Sequence, residues 1–80
     1  MRSVEEITRL RDKLEEIVNI ISEYGADAEV NSEQFRYLCN VVDALNWVLE
    51  KLSTDRFLSS DYLDINNWKK RLDEIRLDII

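Results

Sequence analysis

The chain has 80 residues, of which 45% are hydrophobic and 35% charged, and its formal net charge is -6. This length holds one domain, and this balance of apolar and charged residues is typical of a folded chain rather than a disordered one. Histidine is absent and Cys39 is the only cysteine, which excludes an internal disulfide and disfavours a zinc site. We therefore expect one helical domain over residues 1–80, with no metal and no cofactor.

Location is predicted from what the chain lacks. No apolar run approaches the roughly 20 residues that a membrane-spanning helix needs, and the N-terminal ten residues lack the apolar core of a signal peptide. A lone cysteine in an apolar segment fits a reducing compartment. We expect a cytoplasmic protein that does not contact membranes, and subunit association is the expected additional source of stability for so short a chain.

Helix 1 is predicted over residues 4–24. Ser3 and Glu6 have the spacing of a capping box. Apolar residues then recur in steps of three and four, which places them on one face of a helix. They are Ile7, Leu10, Leu14, Ile17, Ile21 and Tyr24. Gly25 is predicted to take the left-handed conformation that often follows a helix end.

Helix 2 is predicted over residues 33–52, after a connection and a cap at Asn31 or Ser32. Its main stripe consists of Phe35, Leu38, Val42, Leu45, Leu49 and Leu52. A second apolar row widens this face beyond the width that one packing contact requires. The row consists of Tyr37, Val41, Ala44 and Val48. It either packs against the other helices or forms an interface with another protein.

Helix 3 is predicted over residues 60–78, with Ser59 as the cap and Leu58 and Leu63 in the staple positions. Its stripe consists of Ile65, Trp68, Leu72, Ile75 and Ile79. Short links favour antiparallel neighbours, so the predicted fold is all-α, an up-down-up three-helix bundle that can self-associate. The apolar C-terminus, which includes Leu77 and Ile80, either docks on a neighbouring subunit or folds over the end of the bundle.

Trp47 is predicted on the polar side of helix 2, near Arg36, Asn40 and Asp43. A tryptophan there is either a lid over its neighbours or an anchor for a partner, because aromatic residues are enriched at interface hot spots. The sequence therefore predicts a partner-binding surface on helix 2. Its members are Tyr37, Val41, Ala44, Trp47 and Val48.

Negative charge is concentrated between Lys13 and Arg36, where six acidic residues and no basic residue occur. Four of them are predicted to gather at one end of the bundle, and we refer to these as the acidic end. They are Glu23, Asp27, Glu29 and Glu33. This end either keeps the protein soluble or attracts a partner with a basic surface, such as a nucleic-acid enzyme.

Catalytic and nucleic-acid-binding patterns are weak. Without histidine, a glycine-rich phosphate loop or a base beside Cys39, we predict that the protein is not an enzyme. The one basic cluster, Lys69–Arg71 with Arg76, is interrupted by acidic residues at positions that favour helix ion pairs. Nucleic-acid binding therefore ranks below protein binding.

The segment at residues 44–50, ALNWVLE, resembles helical runs in small phage and mobile-element proteins, and this resemblance implies an accessory role. Together these features predict a small acidic non-catalytic protein-interaction module, chiefly an inhibitor, immunity or antitoxin-like regulator. The alternative is a structural helical bundle that forms a homodimer or a larger assembly. A nucleic-acid-binding regulator or partial DNA mimic is the third interpretation.

Overall fold

A computed structural model describes residues 2–60 and 63–79. Within these ranges the chain forms five helices and no strand, which confirms the all-α class. The helices are α1 (Val4–Tyr24), α2 (Asp27–Val30), α3 (Glu33–Val48), α4 (Thr54–Leu58) and α5 (Ile65–Ile79). None of these helices has the length and apolar character that crossing a membrane would require.

The start of α1 is fixed by Ser3, as the sequence predicts. The Glu6 amide donates a hydrogen bond to the Ser3 hydroxyl over 3.2 Å. The other half of the predicted capping box is replaced, because the Glu6 carboxylate instead accepts from the Arg2 guanidinium at 3.3 Å. Helix α1 ends at Tyr24, the predicted residue.

Gly25 ends α1 in a different way from the one predicted. Its φ of -71° and ψ of 159° are extended, so the predicted left-handed conformation is wrong. Its amide donates to the Ile21 carbonyl over 2.8 Å, and a Cβ at this position would lie only 2.5 Å from that oxygen. Glycine is required here because the chain passes so close to the end of the helix.

The predicted connection between the first two long helices contains a short helix of its own, α2. The Glu29 carboxylate accepts from the Ala26 amide over 3.0 Å and so stabilises the start of this turn. Of the two predicted caps for the next helix, Ser32 is the one used, since its hydroxyl accepts from the Phe35 amide over 3.1 Å.

Helix α3 ends at Val48, whereas the sequence predicts its end near residue 52. Glu50 adopts a left-handed φ of 61°. The Lys51 amide donates to the Asn46 carbonyl at 2.8 Å, and the Glu50 amide donates to the Trp47 carbonyl at 3.0 Å. This is the Schellman pattern, which satisfies the last carbonyls of a helix and usually uses glycine at the left-handed position.

The segment before α5 also differs from the prediction. Ser59 does not cap a helix start but ends α4, whose own cap is Ser53. Helix α5 begins at Ile65 rather than at residue 60, after Asp64 takes a left-handed φ of 53°. The predicted cap at Ser59 is therefore wrong, and Ile80 of the predicted apolar C-terminus lies outside the described residues.

Helices α1 and α3 form an antiparallel hairpin. The Arg11 guanidinium donates to Asn46 near one end, while Ile21 lies beside Phe35 near the other. Phe35 and Val42, which keep 8% and 6% of their surface exposed, are the buried hydrophobic residues within residues 2–60 and 63–79. The core is therefore a single seam between two helices.

Helix α5 is not packed against this hairpin, since every side chain from Asn66 to Ile79 is exposed. The radius of gyration is 15.7 Å, compared with the roughly 12 Å expected for a compact domain of this length. The all-helical class is confirmed, but the up-down-up bundle arrangement of three long helices is not.

Replacing Glu50 with glycine should stabilise the fold by about 1 kcal/mol, because glycine adopts left-handed φ without the clash that a Cβ creates. Chemical denaturation of the wild type and Glu50→Gly measures the change. Glu50→Ala is the control, since it removes the charge but keeps the Cβ. Equal stability of the glycine and alanine variants would contradict the proposed backbone strain.

Candidate protein-interaction surface

Four of the five predicted partner-binding residues share one side of α3, and we call them the outer row: Tyr37, Val41, Ala44 and Val48. At 3.6 residues per turn they lie within about 60° of one another, on the side turned away from α1. Tyr37 is 73% exposed and Val48 is also exposed, while the other two are half-buried. The structure thus brings these four residues together on an accessible surface.

Trp47 points instead towards α4. Its indole N–H donates a hydrogen bond to the Thr54 hydroxyl over 2.9 Å, and its ring lies tilted against Phe57 with centroids 6.0 Å apart. The side chain nevertheless keeps 43% of its surface exposed. Trp47 therefore holds α4 against the end of α3 and still presents part of its ring at the edge of the outer row.

The opposite edge of the α1–α3 seam is polar. The Arg11 guanidinium donates to both Asn46 and Asp12 at 2.8 Å, although the Arg11 side chain is only 17% exposed. These hydrogen bonds hold polar side chains along this edge of the hairpin. An apolar helix face that packed here would gain little, because it would remove these polar groups from water.

Two ionisable groups on α3 are affected by burial. Desolvation raises the pKa of the Asp43 carboxyl above its usual value. Desolvation, followed by the nearby Asp43 charge, also raises the pKa of the Cys39 thiol. A raised pKa keeps the thiol protonated, which opposes the thiolate form that a nucleophilic cysteine needs.

Sequence reasoning missed an exposed apolar side of α1. Leu10, Ile17 and Tyr24 were all predicted in the packed stripe, yet each is exposed, Tyr24 to 78%. Helix α3 covers only the side that carries Ile7, Leu14, Val18 and Ile21, which are half-buried. The presence of Ile20 and Val18 on either side of the predicted stripe was the available signal that this apolar face is wide enough for two partners.

The stripe of α5 is a second uncovered apolar surface. Trp68 is 66% exposed and Ile79 is 77% exposed, and Leu72 and Ile75 between them are exposed as well. Leu77, on the opposite side of the helix, is also exposed. The predicted helical periodicity is therefore present in α5, but the packing expected from it is not.

The four residues of the acidic end are all exposed. They lie where the end of α1, helix α2 and the start of α3 follow one another along the chain. One of them, Glu29, caps the short helix α2. Within residues 2–60 and 63–79 no group of three potential metal ligands comes together.

No protein-family model matches the chain, and no match was found among curated proteins or among solved structures. The resemblance of residues 44–50 to phage and mobile-element proteins therefore gains no support. Function has to be inferred from the exposed surfaces.

Removing either partner of the hydrogen bond between Trp47 and Thr54 should destabilise the fold by about 1 kcal/mol. Trp47→Phe keeps an aromatic ring against Phe57 but loses the donor, and Thr54→Val loses the acceptor with little change in shape. Denaturation of both single variants and the double variant measures their coupling energy. Strictly additive effects would mean that this bond does not hold α4 in place.

Asp43→Asn should stabilise the protein at neutral pH and not at low pH. Because folding raises the pKa of Asp43, the folded state holds its proton more tightly, and wild-type stability falls as pH rises from the ordinary value of 3.8 through the raised one. Asparagine does not titrate, so the difference in unfolding free energy between variant and wild type should grow over that window.

Unfolding free energies measured from pH 3 to pH 7 give this difference directly, since the variant and the wild type differ only at residue 43. Asp78→Asn, at an exposed site near the end of α5, controls for the loss of one negative charge. A difference that does not vary with pH would contradict a raised pKa at Asp43.

Proposed function

We propose that this protein is a small, acidic, non-catalytic interaction module that regulates another protein by binding it, as inhibitors, immunity proteins and antitoxins do. The observation that carries this proposal is the exposed outer row of α3, which leads directly into the acidic end. Glu33 lies one helical turn before Tyr37 on the same side of α3. Apolar contact area and negative charge thus form one continuous surface.

The outer row would supply the affinity. Aromatic residues are enriched at interface centres, and Tyr37 is the most exposed member of the row. Val41, Ala44 and Val48 offer a flat apolar floor beside it. Trp47, anchored by Thr54, adds a rigid aromatic edge whose orientation is already fixed before a partner arrives.

The acidic end would supply orientation and association rate. No basic residue lies between Lys13 and Arg36, so nothing in that stretch of the chain neutralises its carboxylates. Glu23 also stands in the last turn of α1, where the helix dipole favours a cation. A residue that is unfavourable for its own helix is consistent with selection for contact with a basic surface.

The up-down-up bundle remains part of the proposal as the assembled form of the protein, with a third helix lying against α1 and α3. The stripe on α5 supports this arrangement, because its period fits a helix–helix contact. A cytoplasmic location, in keeping with the lone thiol Cys39, is likewise proposed.

A structural homo-oligomer is the second candidate function. It is favoured by the uncovered apolar stripe of α5, a surface that the outer row and the acidic end do not explain. Nucleic-acid binding through Lys69–Arg71 ranks third, since the acidic residues of α5 lie among these basic ones. A gel shift that weakens with salt would support this third function.

Glu23→Lys should slow partner association several-fold at low salt while stabilising the folded chain by about 0.3–1 kcal/mol, because a lysine suits the C-terminal end of α1. Partners are identified by cross-linking and mass spectrometry in the source cells, and the association rate of the purified pair is then measured. The difference between variant and wild type should shrink as salt screens the charges.

Asp78→Lys is the matched control, since it makes the same change in charge near the C-terminal end of α5. It should leave the association rate close to that of the wild type. If both variants slow association equally, the net charge of the protein, and not the position of the acidic end, determines the association rate. A partner that binds a Val48→Asp variant as well as it binds the wild type would exclude the outer row as the contact.

A further inference from the structure

One side of the α1–α3 hairpin carries an apolar groove. Leu10 precedes Arg11 and Leu45 precedes Asn46, so each leucine is rotated about 100° from its polar neighbour. Because the two helices run in opposite directions and face each other, these equal rotations bring both leucines to the same side. That side is opposite to the hydrogen bond between Arg11 and Asn46.

Two further residues extend this surface, Ile17 one heptad after Leu10 on α1 and Val41 one turn before Leu45 on α3. Ile17 is exposed and Val41 is half-buried. We call these four residues the apolar groove. It is the position that a third helix occupies in a three-helix bundle, and within the described residues nothing covers it.

Helix α5 has the shape of the missing third helix. Its stripe advances in alternating steps of three and four residues, the spacing of a helix that packs along a seam with neighbouring helices. From Ile65 to Ile79 the stripe spans 15 residues, and the 14 steps between them cover about 21 Å along the helix axis. The exposed row on α1 from Leu10 to Tyr24 has the same length, so the two surfaces match end to end.

We propose that α5 of one chain lies in the apolar groove of a second copy, and that the second copy returns its α5 in the same way. The result is a two-fold dimer in which each half is a three-helix bundle with its third helix from the other chain. This assembly shares Val41 with the outer row but leaves Tyr37 and the acidic end accessible, so it does not require the heterologous partner proposed above.

The path of the chain favours exchange over docking within one copy. Trp47 lies on the polar edge of α3, away from the groove, and its contacts with Thr54 and Phe57 hold α4 there. The chain therefore leaves the hairpin on the side opposite to the groove. The amides of Leu63 and Asp64 both donate to the Ser60 carbonyl, so the start of the approach to α5 is tied to the end of α4.

The available area fits a stable dimer. Eight large apolar side chains on the stripe of α5 and the outer side of α1 are exposed: Leu10, Ile17, Ile20, Tyr24, Trp68, Leu72, Ile75 and Ile79. An aromatic side chain buries roughly 150–250 Å², so we take on the order of 100 Å² for each of these partly exposed side chains. One chain then offers about 800 Å² of apolar surface for burial. This is about the area that each partner contributes to a standard-size interface.

Charge is also complementary. Residues 1–48, which contain the hairpin, carry five basic and ten acidic residues, whereas α5 carries four basic and three acidic residues. Lys69 and Arg76 lie directly beside the apolar stripe of α5 by helical geometry. Docking on a second hairpin therefore places the most basic helix of one copy against the most acidic part of the other.

Sedimentation equilibrium of the purified chain tests the proposal, and a dimer is expected. Leu72→Glu puts a charge in the middle of the stripe and should weaken the dimer by at least roughly 100-fold in dissociation constant. Leu77→Glu is the matched control, since it makes the same substitution on the opposite, exposed side of the same helix. It should leave the dissociation constant almost unchanged.

Mixing two defective variants isolates the exchange. Ile17→Glu places a charge in the apolar groove, and Leu72→Glu places a charge in the stripe of α5. Each variant alone should therefore be monomeric. Their mixture keeps one intact groove and one intact α5, and it should recover a heterodimer with one of the two contacts. Circular dichroism of each variant measures whether the helices are retained. We expect them to be, because Ile17 and Leu72 are both exposed and lie outside the core of the α1–α3 hairpin.

A cysteine pair gives a second readout that does not depend on weakening the dimer. In a Cys39→Ser background, chains with Ile17→Cys are mixed with chains with Leu72→Cys. These positions lie at the centres of their rows, so they meet whichever direction α5 runs in the groove. Oxidation should link the two chains, whereas Leu77→Cys in place of Leu72→Cys should link far less.

Three results would overturn the proposal. One is a wild-type chain that stays monomeric across the concentration range. Another is a dimer that Leu72→Glu and Leu77→Glu weaken equally. The third is a double variant, Ile17→Cys with Leu72→Cys in one chain, that forms its disulfide only within that chain. Because all of these use the purified protein alone, they leave the proposal of a heterologous partner untouched.

Discussion

The contact between α1 and α3 is the interaction on which the rest of the structure depends. Each helix has an apolar face wider than one partner can cover, and the antiparallel contact uses only part of each face. Two buried side chains, Phe35 and Val42, mark its centre. Everything exposed on the hairpin follows from this geometry, since the sides of α1 and α3 that turn away from the seam have no covering layer in the described residues.

Helical periodicity predicted the long helices well, because steps of three and four residues report directly on one face of a helix. Local hydrogen-bond chemistry also predicted the starts at Ser3 and Ser32. The C-terminal ends of the helices were harder to predict. The last carbonyl groups of a helix are satisfied by backbone amides, and the backbone conformation that allows this leaves little trace in the sequence. Nothing in the sequence marks Glu50 as left-handed, and Gly25 serves close approach rather than the expected handedness.

The candidate surface was predictable in part for the same reason. The outer row of α3 followed from its wheel position, and the acidic end followed from the charge distribution. The exposed side of α1 could not be predicted, because a stripe of apolar residues has the same spacing whether it packs against its own chain or against another chain. Trp47 was predicted to be either a lid over its neighbours or an anchor for a partner. Its ring is held by Thr54 and Phe57, as a lid would be, and it remains partly accessible, as an anchor would be.

The uncovered stripe of α5 has a consequence for the protein in a cell. Chaperones and proteases act on accessible apolar segments that few contacts hold in place, and α5 of an isolated chain is such a segment. In the proposed dimer this segment is covered, so newly made chains would be degraded fastest while dilute and would persist once paired. Under that proposal the abundance of the protein would depend on its own synthesis rate as well as on its intrinsic stability, a form of control that requires no additional regulator.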